Sequence, residues 1–353
     1  MRLKAFGMAL LLTVMVLLTA GAETVIPGWR VDSPCAAELT QWLTEIDWQG
    51  SPAYVPPEDR IAVFDFDGTL YGERFPTYFD HLLLMHRVLH DDSYEAPAET
   101  RAYVEALEAA EMNRKEAPKG DKSNAQYTAE VFAGMTVDAY RAYIRDFMAV
   151  PVTGFSGMTY GEGFFQPMVS LVRTLAEHHF RVYIISASER QCVRELIRGT
   201  LDPWIPPDRV IGSRFSLAAT GQGDADGRKY TYSMEDQVIL TGNLLLKTEK
   251  MNKVTAIVEE IGQPPLLVFG NSSGDLAMGV YARQNGGKAF MLLCDDTERD
   301  YGSPDEAAKF KKSCDELGIQ TVSMKDEFET IYGEGVLMVP SGEDAPEELL
   351  PAA

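Results

Sequence analysis

Two kinds of hydrophobic pattern alternate along this chain. Short unbroken apolar runs are typical of strands buried on both faces of a parallel sheet, whereas apolar residues at every third or fourth position indicate amphipathic helices. Their alternation predicts an α/β fold, with a doubly wound parallel sheet and right-handed crossovers. Strands are predicted at residues 61–64, 180–185, 209–212, 266–269 and 289–294, with a small hairpin formed by 229–233 and 237–241.

The stretch between the first and second predicted strands lacks strand-like alternation. It contains helical patterns at 78–89, 98–112 and 137–148, with a charged loop at 115–123. We therefore expect a helical insertion over residues 71–160, inside an α/β core made of 61–70 and 161–335. A helical lead-in is predicted at 23–60 and an acidic tail at 336–353. The other predicted helices are 35–46, 167–177, 190–199, 252–261, 276–284 and 306–318.

The N-terminal segment has the pattern of a secretory signal peptide. Arg2 and Lys4 give a basic start, residues 5–19 are mostly apolar, and residues 20–22 form an Ala-Gly-Ala cleavage signature. We predict cleavage of residues 1–22 and an exported protein, periplasmic or secreted, without stable membrane association. The alternative is an uncleaved membrane anchor, since the apolar stretch approaches the length of a membrane span.

The remaining composition narrows the possible partners. The formal net charge of −21 opposes binding to nucleic acid or to anionic membranes.

Four cysteines allow three full pairings in an oxidising compartment. We predict a bridge between Cys294 and Cys314, which are the nearest pair in sequence, with four buried free thiols as an equal alternative. The oligomeric state stays open.

Polar side chains follow three of the predicted strands. Asp65, Asp67 and Thr69 follow the first strand, Ser186 follows the second, and Asn271 and Asp275 follow the strand at 266–269. Because the carboxyl ends of parallel strands open onto one crevice, we expect these side chains to form a single site.

These residue types suit phosphoryl transfer through a covalent intermediate. One carboxylate can attack phosphorus while a neighbouring acid protonates the leaving oxygen and later activates water. Two crowded carboxylates are also a suitable site for Mg²⁺, which takes oxygen ligands. A hydroxyl, backbone N–H groups and a lysine can hold the phosphoryl oxygens.

Four separated motifs resemble those of the haloacid dehalogenase superfamily, specifically its phosphatase branch. The resemblance implies that Asp65 is the nucleophile and Asp67 the acid/base, and that both bind Mg²⁺. It also implies a small phosphorylated substrate. By the same resemblance the phosphate-binding residues are Gly68, Thr69, Ser186, Ala187 and Lys253, with Lys247 and Lys250 as rivals for the lysine.

The fourth motif departs from the superfamily pattern. Asn271 stands where the superfamily usually has aspartate. This stretch resembles an exported phosphorylcholine- and phosphoserine-phosphatase-like subgroup that tolerates asparagine at this position. The resemblance implies that Asn271 binds the metal through its amide oxygen, and that Asp275 either supplies an anionic ligand or orients the metal's waters. We expect activity with a lower Mg²⁺ affinity than aspartate would give, because Asn271 carries no negative charge.

The helical insertion lies where this superfamily places a cap domain. Such a cap would exclude water and select the leaving group, but no residue in it identifies the substrate. Glu73 and Arg74 would either meet a polar end of the substrate or form a surface pair, and the histidines suggest no role. Two other functions remain open. One is a protein that binds phosphorylated ligands but has lost catalytic activity. The other is a dehalogenase, although Asp67 argues against it because a dehalogenase needs no acid at that position.

Overall fold

The computed structural model describes residues 26–74, 77–113, 115 and 117–339. The predicted signal peptide and most of the predicted acidic tail lie outside these residues. Among the described residues, no helix combines the length and the apolar character needed to cross a membrane.

A seven-stranded sheet forms the centre of the molecule. Its spatial order is β5-β4-β3-β1-β6-β7-β8, and every neighbouring pair is parallel except β4 and β5. The chain winds outward from β1 in both directions, which confirms the predicted doubly wound α/β fold. The strands are β1 (Ile61–Phe64), β2 (Phe155–Ser156), β3 (Arg181–Glu189), β4 (Val210–Ala219), β5 (Val238–Leu246), β6 (Leu267–Gly270), β7 (Lys288–Leu293), β8 (Gln320–Ser323) and β9 (Leu337–Met338), of which β2 and β9 form a separate antiparallel pair.

Helices cover both faces of the sheet. Four of them, α2 to α5, lie between β1 and β3 in the chain, where the sequence predicts a helical insertion. The helices are α1 (Pro34–Asp47), α2 (Phe79–Met85, continued by a π-helical turn, His86–His90), α3 (Ala98–Met112), α4 (Asn124–Val131), α5 (Val137–Met148), α6 (Gln166–Glu177), α7 (Arg190–Leu196), α8 (Met251–Ala256, continued by a π-helical turn, Ile257–Ile261), α9 (Leu276–Gln284), α10 (Pro304–Leu317) and α11 (Met324–Glu327).

The central strands are apolar because both of their faces are covered. All four residues of β1 and of β6 are buried. Side chains alternate between two hydrophobic clusters, so that Phe64 belongs to one cluster and Val63 to the other. Phe269 stacks between Phe64 and Phe290, with ring centroids 5.3 and 5.2 Å apart. This packing fixes the strand ends that carry the polar residues.

The hairpin next to the helical insertion differs from the prediction. The sequence patterns at 229–233 and 237–241 do not pair; instead the much longer β4 pairs with β5 across an antiparallel register. Gly134 N donates to the carbonyl of Leu240, and Leu240 N donates to that of Met135. The hairpin therefore supports the insertion as well as the sheet. Its edge strand is only partly buried, so the apolar residues of that strand do not indicate which segment it pairs with.

The predicted disulfide is absent, since all four cysteines are free thiols. Cys294 packs against the same hydrophobic cluster as Phe64, whereas Cys314 belongs to the cluster that contains Val63. These clusters occupy opposite faces of the sheet, so proximity in sequence does not bring the two sulfur atoms together. Helix α4 and strands β2, β8 and β9 are further elements that the sequence patterns did not predict.

Candidate active site

The turn after β1 carries the two aspartates of the first motif. Asp65 N donates to the carbonyl of Phe269 at 2.9 Å, so the pairing between β1 and β6 continues up to the turn. Gly68 has φ +70°, and a Cβ atom there would lie 1.9 Å from Asn271 Nδ2. Glycine thus allows this turn to close against the loop after β6. The side chains of Asp65 and Asp67 are buried at its edge.

Lys253 on α8 connects two carboxylates. Its Nζ donates to Asp65 Oδ1 and to Asp275 Oδ1, at 2.6 Å in each case, and the residue is 2% exposed. Lys250 precedes the helix with a side chain that is 69% exposed, and Lys247 lines the cavity. Of the three lysines proposed from the sequence, Lys253 is the one in contact with Asp65.

Asp275 holds together the loop after β6. Its Oδ2 accepts hydrogen bonds from the backbone N–H groups of Asn271 and Ser272 and from the Ser272 hydroxyl, while Oδ1 accepts from Lys253. A Cβ atom at Gly270 would lie 2.4 Å from Asp275 Cβ, so the close turn requires glycine. The prediction that Asp275 binds metal does not fit this geometry, because protein donors occupy both oxygens of a fully buried carboxylate.

Two serines on β3 contact Asp67. Ser188 Oγ donates to Asp67 Oδ2 at 2.7 Å, and Ser186 Oγ lies 3.4 Å from the same oxygen while accepting from Ser188 N. The neighbouring Glu189, rather than either serine, caps α7 with its carboxylate. Among the described residues, Asp67 Oδ1 is buried without a hydrogen-bond partner. One Asp67 oxygen is thus positioned by serine and the other is left for a ligand.

Asn271 bridges the two catalytic loops. Its Oδ1 accepts a hydrogen bond from Thr69 Oγ1 at 3.2 Å, and its Nδ2 donates to Glu73 Oε1 at 3.1 Å. Glu73 also lies 4.0 Å from Arg74 Nε, and Arg74 pairs with Glu306 on α10. Glu73 and Arg74 are therefore divided between two roles: Glu73 contacts the site, and Arg74 faces outward.

A cavity of about 340 Å³ opens where these groups meet. Gly68, Thr69 and Ser186, which were predicted to bind phosphate, do not line it, whereas Ala187 does. Three of the lining residues, Tyr78, Asp80 and His81, come from the insertion and were not predicted from the sequence as site residues. The cavity is lined by Asp65, Asp67, Glu73, Tyr78, Asp80, His81, Ala187, Ser188, Lys247, Glu249, Lys253, Asn271, Ser272, Ser273 and Gly274.

Burial and crowding shift the protonation equilibria of this cavity. Burial raises the pKa of Asp67 to about 7, with a further contribution from Asp80 and against the hydrogen bond from Ser188. Burial and repulsion from Asp275 raise the pKa of Asp65 to about 7, although Lys253 opposes this shift. Both carboxyl groups therefore exchange protons near neutral pH.

The other ionisable groups of the cavity respond to the same surroundings. Burial raises the pKa of Glu73 to about 7, against the attraction of Arg74. Burial alone would lower the pKa of Lys253, but the attraction of Asp275 and Asp65 raises it, so the lysine stays charged. The cavity thus holds a permanent cation beside carboxyl groups that titrate near neutral pH.

The available donors suit a hard cation. Within the described ranges, no three His, Cys, Asp or Glu side chains are gathered as a ready-made metal site. Mg²⁺ does not need such a cage, because it keeps several waters and takes one or two carboxylates together with substrate oxygens. Mg²⁺ prefers ligands of the type present here: Asp67 Oδ1, which lacks a hydrogen-bond partner among the residues described, the carboxylate of Asp65 and the amide oxygen of Asn271.

Comparison with known proteins identifies the family but not the substrate. The model of the haloacid dehalogenase-like hydrolase family matches residues 62–279. No curated protein matches this chain.

Solved structures resemble the chain more distantly. One is a conserved protein of unknown function from Anaerococcus prevotii DSM 20548, with 14% identity, coverage of 81% of this chain and 91% of that one, and a TM-score of 0.48. Cytosolic 5'-nucleotidase IIIB bound to cytidine shows 14% identity, coverage of 84% and 88%, and a TM-score of 0.46. A probable phosphoserine phosphatase from Vibrio cholerae shows 12% identity, coverage of 76% and 61%, and a TM-score of 0.39.

The assignment rests on the family match, because these structural likenesses are all weak. The matched region runs from β1 into α9 and includes both aspartates of the first motif, Lys253 and the loop after β6. It spans more than half of the sequence. The chain therefore belongs to the haloacid dehalogenase-like hydrolase family.

Proposed function

We propose that this protein is a magnesium-dependent phosphomonoester hydrolase that works through an aspartyl-phosphate intermediate. The observation that carries the proposal is the pairing of two differently held carboxylates at one cavity. Asp65 is anchored by Lys253 at 2.6 Å, whereas Asp67 has one oxygen bound by Ser188 and one without a partner among the described residues. A nucleophile must be oriented and an acid/base must exchange protons, and these two environments match those needs.

In the first step, a carboxylate oxygen of Asp65 attacks phosphorus. The new O–P bond forms as the ester P–O bond breaks, and Asp67 gives its proton to the leaving oxygen. In the second step, Asp67 takes a proton from water as that water attacks phosphorus, releasing inorganic phosphate and Asp65. In the metal-free protein burial raises the pKa of Asp67 to about 7, so both protonation states that the two steps require are accessible near neutral pH.

Lys253 and the backbone around Ala187 are suited to receive the phosphoryl oxygens. Lys253 lies at the cavity wall with its charge maintained by two carboxylates, and Lys247 adds a second cation on the same wall. These two lysines oppose the repulsion between a phosphate dianion and an acidic cavity. Thr69 and Ser186 are fully buried, so we assign them to positioning Asn271 and Asp67.

Asp65, Asp67 and Asn271 would hold the Mg²⁺ ion. When bound, the ion neutralises part of the charge on the phosphate and on the attacking carboxylate. The residues that carry out proton transfer and nucleophilic attack are those of the chain itself. Among the described residues, the buried and unpartnered Oδ1 of Asp67 supports this assignment most directly.

We assign the helical insertion, residues 71–160, the role of a cap over a core made of 61–70 and 161–335. Tyr78, Asp80 and His81 come from the start of α2 and line the cavity opposite the strand ends. Groups in this position contact the part of a substrate that leaves, and they limit access of water. The substrate is therefore a small phosphorylated molecule whose leaving group fits beneath α2.

The proposed location is outside the cytoplasm. The basic start, the apolar stretch and the Ala-Gly-Ala signature of the first 22 residues support export. Expression of the full-length chain, followed by N-terminal sequencing of the exported fraction, tests this part. A mature chain beginning after Ala22 supports export, whereas retention of residues 1–22 supports the membrane anchor.

Hydrolysis of p-nitrophenyl phosphate, with and without Mg²⁺, tests the activity. We expect Mg²⁺-dependent turnover by the wild type and a loss of about 10⁴-fold or more in Asp65→Asn, because the amide cannot attack phosphorus. Equal turnover by both proteins would contradict the proposed function. If neither protein turns over while inorganic phosphate binds to the wild type, the chain is a phospho-ligand binder.

A further inference from the structure

The loop after β6 lacks a charge that a cation site normally uses. Asn271 presents a neutral amide there, and Asp275 is fully occupied by Lys253 and by the donors of residues 271 and 272. Neither residue of this loop therefore has a carboxylate oxygen free to face a cation. If a cation binds, its negative charge must come from elsewhere in the chain.

The Glu73 carboxylate contacts the side chain of Asn271. Its Oε1 accepts a hydrogen bond from Asn271 Nδ2 at 3.1 Å, and its side chain is 11% exposed. Glu73 lines the same cavity as Asp65 and Asp67. Glu73 follows the turn after β1 by only a few residues, so this contact joins that segment to the loop after β6.

The contact also fixes the orientation of the amide. Since Nδ2 points to Glu73, Oδ1 of Asn271 faces Thr69 and the turn after β1. Asn271, Asp67 and Glu73 thus line one cavity, and within the part of the chain that the structure describes Asp67 Oδ1 is buried without a hydrogen-bond partner. A neutral partner at position 73 would accept or donate equally well and would not select this orientation.

We propose that Glu73 replaces the missing charge of the fourth motif. It acts as a positioning residue, holding Asn271 with its oxygen toward the cation site and adding negative charge to that site. The inference rests on the proposed Mg²⁺ dependence and extends it to a residue outside the four motifs. It also changes the expectation from sequence, since Asn271 need not lower the affinity for Mg²⁺ when Glu73 is beside it.

Titration of Mg²⁺ into the protein by calorimetry, with no substrate present, tests the proposal. Glu73→Gln has nearly the same shape but no charge, and we expect it to weaken Mg²⁺ binding about 10- to 100-fold, the usual cost of removing a residue that supports a metal ligand. In the double variant Glu73→Gln/Asn271→Asp, we expect recovery to within about threefold of the wild type, since the charge returns at the neighbouring position. Glu306→Gln is the matched control, because Glu306 is exposed and contacts Arg74 on the outer side.

Two outcomes would overturn the proposal: a Mg²⁺ affinity within twofold of the wild type in Glu73→Gln, or a double variant that does not recover. Misfolding is checked by thermal unfolding without metal, where Glu73→Gln should be at least as stable as the wild type because it removes one of several crowded carboxylates. The proposed function is judged separately. Metal binding as expected with no p-nitrophenyl phosphate turnover rejects only the function, whereas metal-dependent turnover with unchanged affinity in Glu73→Gln rejects only this role of Glu73.

Discussion

Single side chains of the cavity are held by contacts that the motifs do not contain. The first motif follows a recognisable spacing, so the sequence could propose it. The sequence left Lys253 open against Lys247 and Lys250, and the structure places Lys253 Nζ at 2.6 Å from Asp65 Oδ1. Ser188 and Glu73 have no such spacing. Their contacts with Asp67 and Asn271 depend on how β3 and the turn after β1 are arranged in space. Only tertiary structure brings them together.

A hydrogen bond from Ser188 contributes to the pKa of Asp67. Its hydrogen bond to Asp67 lowers the pKa of a carboxyl group that burial raises to about 7. Ser188→Ala should therefore raise that pKa further, by about one unit for the loss of a hydrogen bond to a charged group. The protonated acid then persists to higher pH, and the basic limb of the kcat/KM profile moves upward.

The pH dependence of p-nitrophenyl phosphate hydrolysis from pH 5 to 9 measures this shift. Ser156→Ala, on the exposed strand β2, provides a control that should leave the profile unchanged. A profile of Ser188→Ala that moves downward, or that does not move, would show that Ser188 does not act through Asp67.

At the scale of elements, prediction succeeded where the hydrophobic pattern was strong. Helices α3 and α5 have the bounds that were predicted, because long amphipathic periods define them locally. The hairpin of β4 and β5 was mispredicted, because an edge strand is only half buried and its partner is distant in sequence. The disulfide between Cys294 and Cys314 was also predicted from local sequence alone. The face of the sheet on which each cysteine lies depends on tertiary structure, and here the two lie on opposite faces.

The junction between β3 and α7 carries a stability prediction. Glu189 caps α7 by accepting hydrogen bonds from Gln191 N and Cys192 N, yet burial raises its pKa to about 7. The folded protein thus holds this proton between about pH 4 and pH 7, whereas the unfolded chain releases it. The stabilisation of the fold by this proton is complete below the pKa of Glu189 in the unfolded chain. It is lost as pH rises through the pKa of Glu189 in the folded protein.

Glu189→Gln should flatten this dependence. The amide oxygen can still cap the helix, but it does not ionise. Between pH 4.5 and pH 8, the free energy of unfolding should therefore fall by up to about 3 kcal/mol less in the variant than in the wild type, because this range spans the unfolded and folded pKa values. Urea unfolding at several pH values measures the difference, with the exposed Glu177→Gln as control. Parallel curves for wild type and Glu189→Gln would contradict the assignment.

At the scale of the whole molecule, the fold places the site where doubly wound sheets bind ligands. The two loops that meet follow β1 and β6, the strands at which the winding direction changes. The alternation of strands and helices was sufficient to predict this location. It was not sufficient to predict what faces the strand ends, because Tyr78, Asp80 and His81 come from an insertion whose placement depends on packing.

The charge of the whole molecule should affect catalysis. A net charge of −21 repels an anionic substrate. Salt screens this repulsion beyond the Debye length, which is about 10 Å at 0.1 M ionic strength. With Mg²⁺ kept saturating, kcat/KM for p-nitrophenyl phosphate should rise several-fold as ionic strength increases from about 10 to 150 mM. A decrease over this range would mean that local cations at the cavity, rather than the net charge, control substrate approach.

The central claim is that Asp65 becomes phosphorylated, and acid quenching followed by mass spectrometry of the Asp65 peptide tests it most directly. In Asp67→Asn the intermediate should accumulate with p-nitrophenyl phosphate, because this leaving group departs without a proton whereas the attack of water requires a base. We expect a phosphoryl adduct on Asp65 in that variant and none in Asp65→Asn. Hydrolysis by Asp67→Asn without any adduct, or turnover by Asp65→Asn at the wild-type rate, would contradict it.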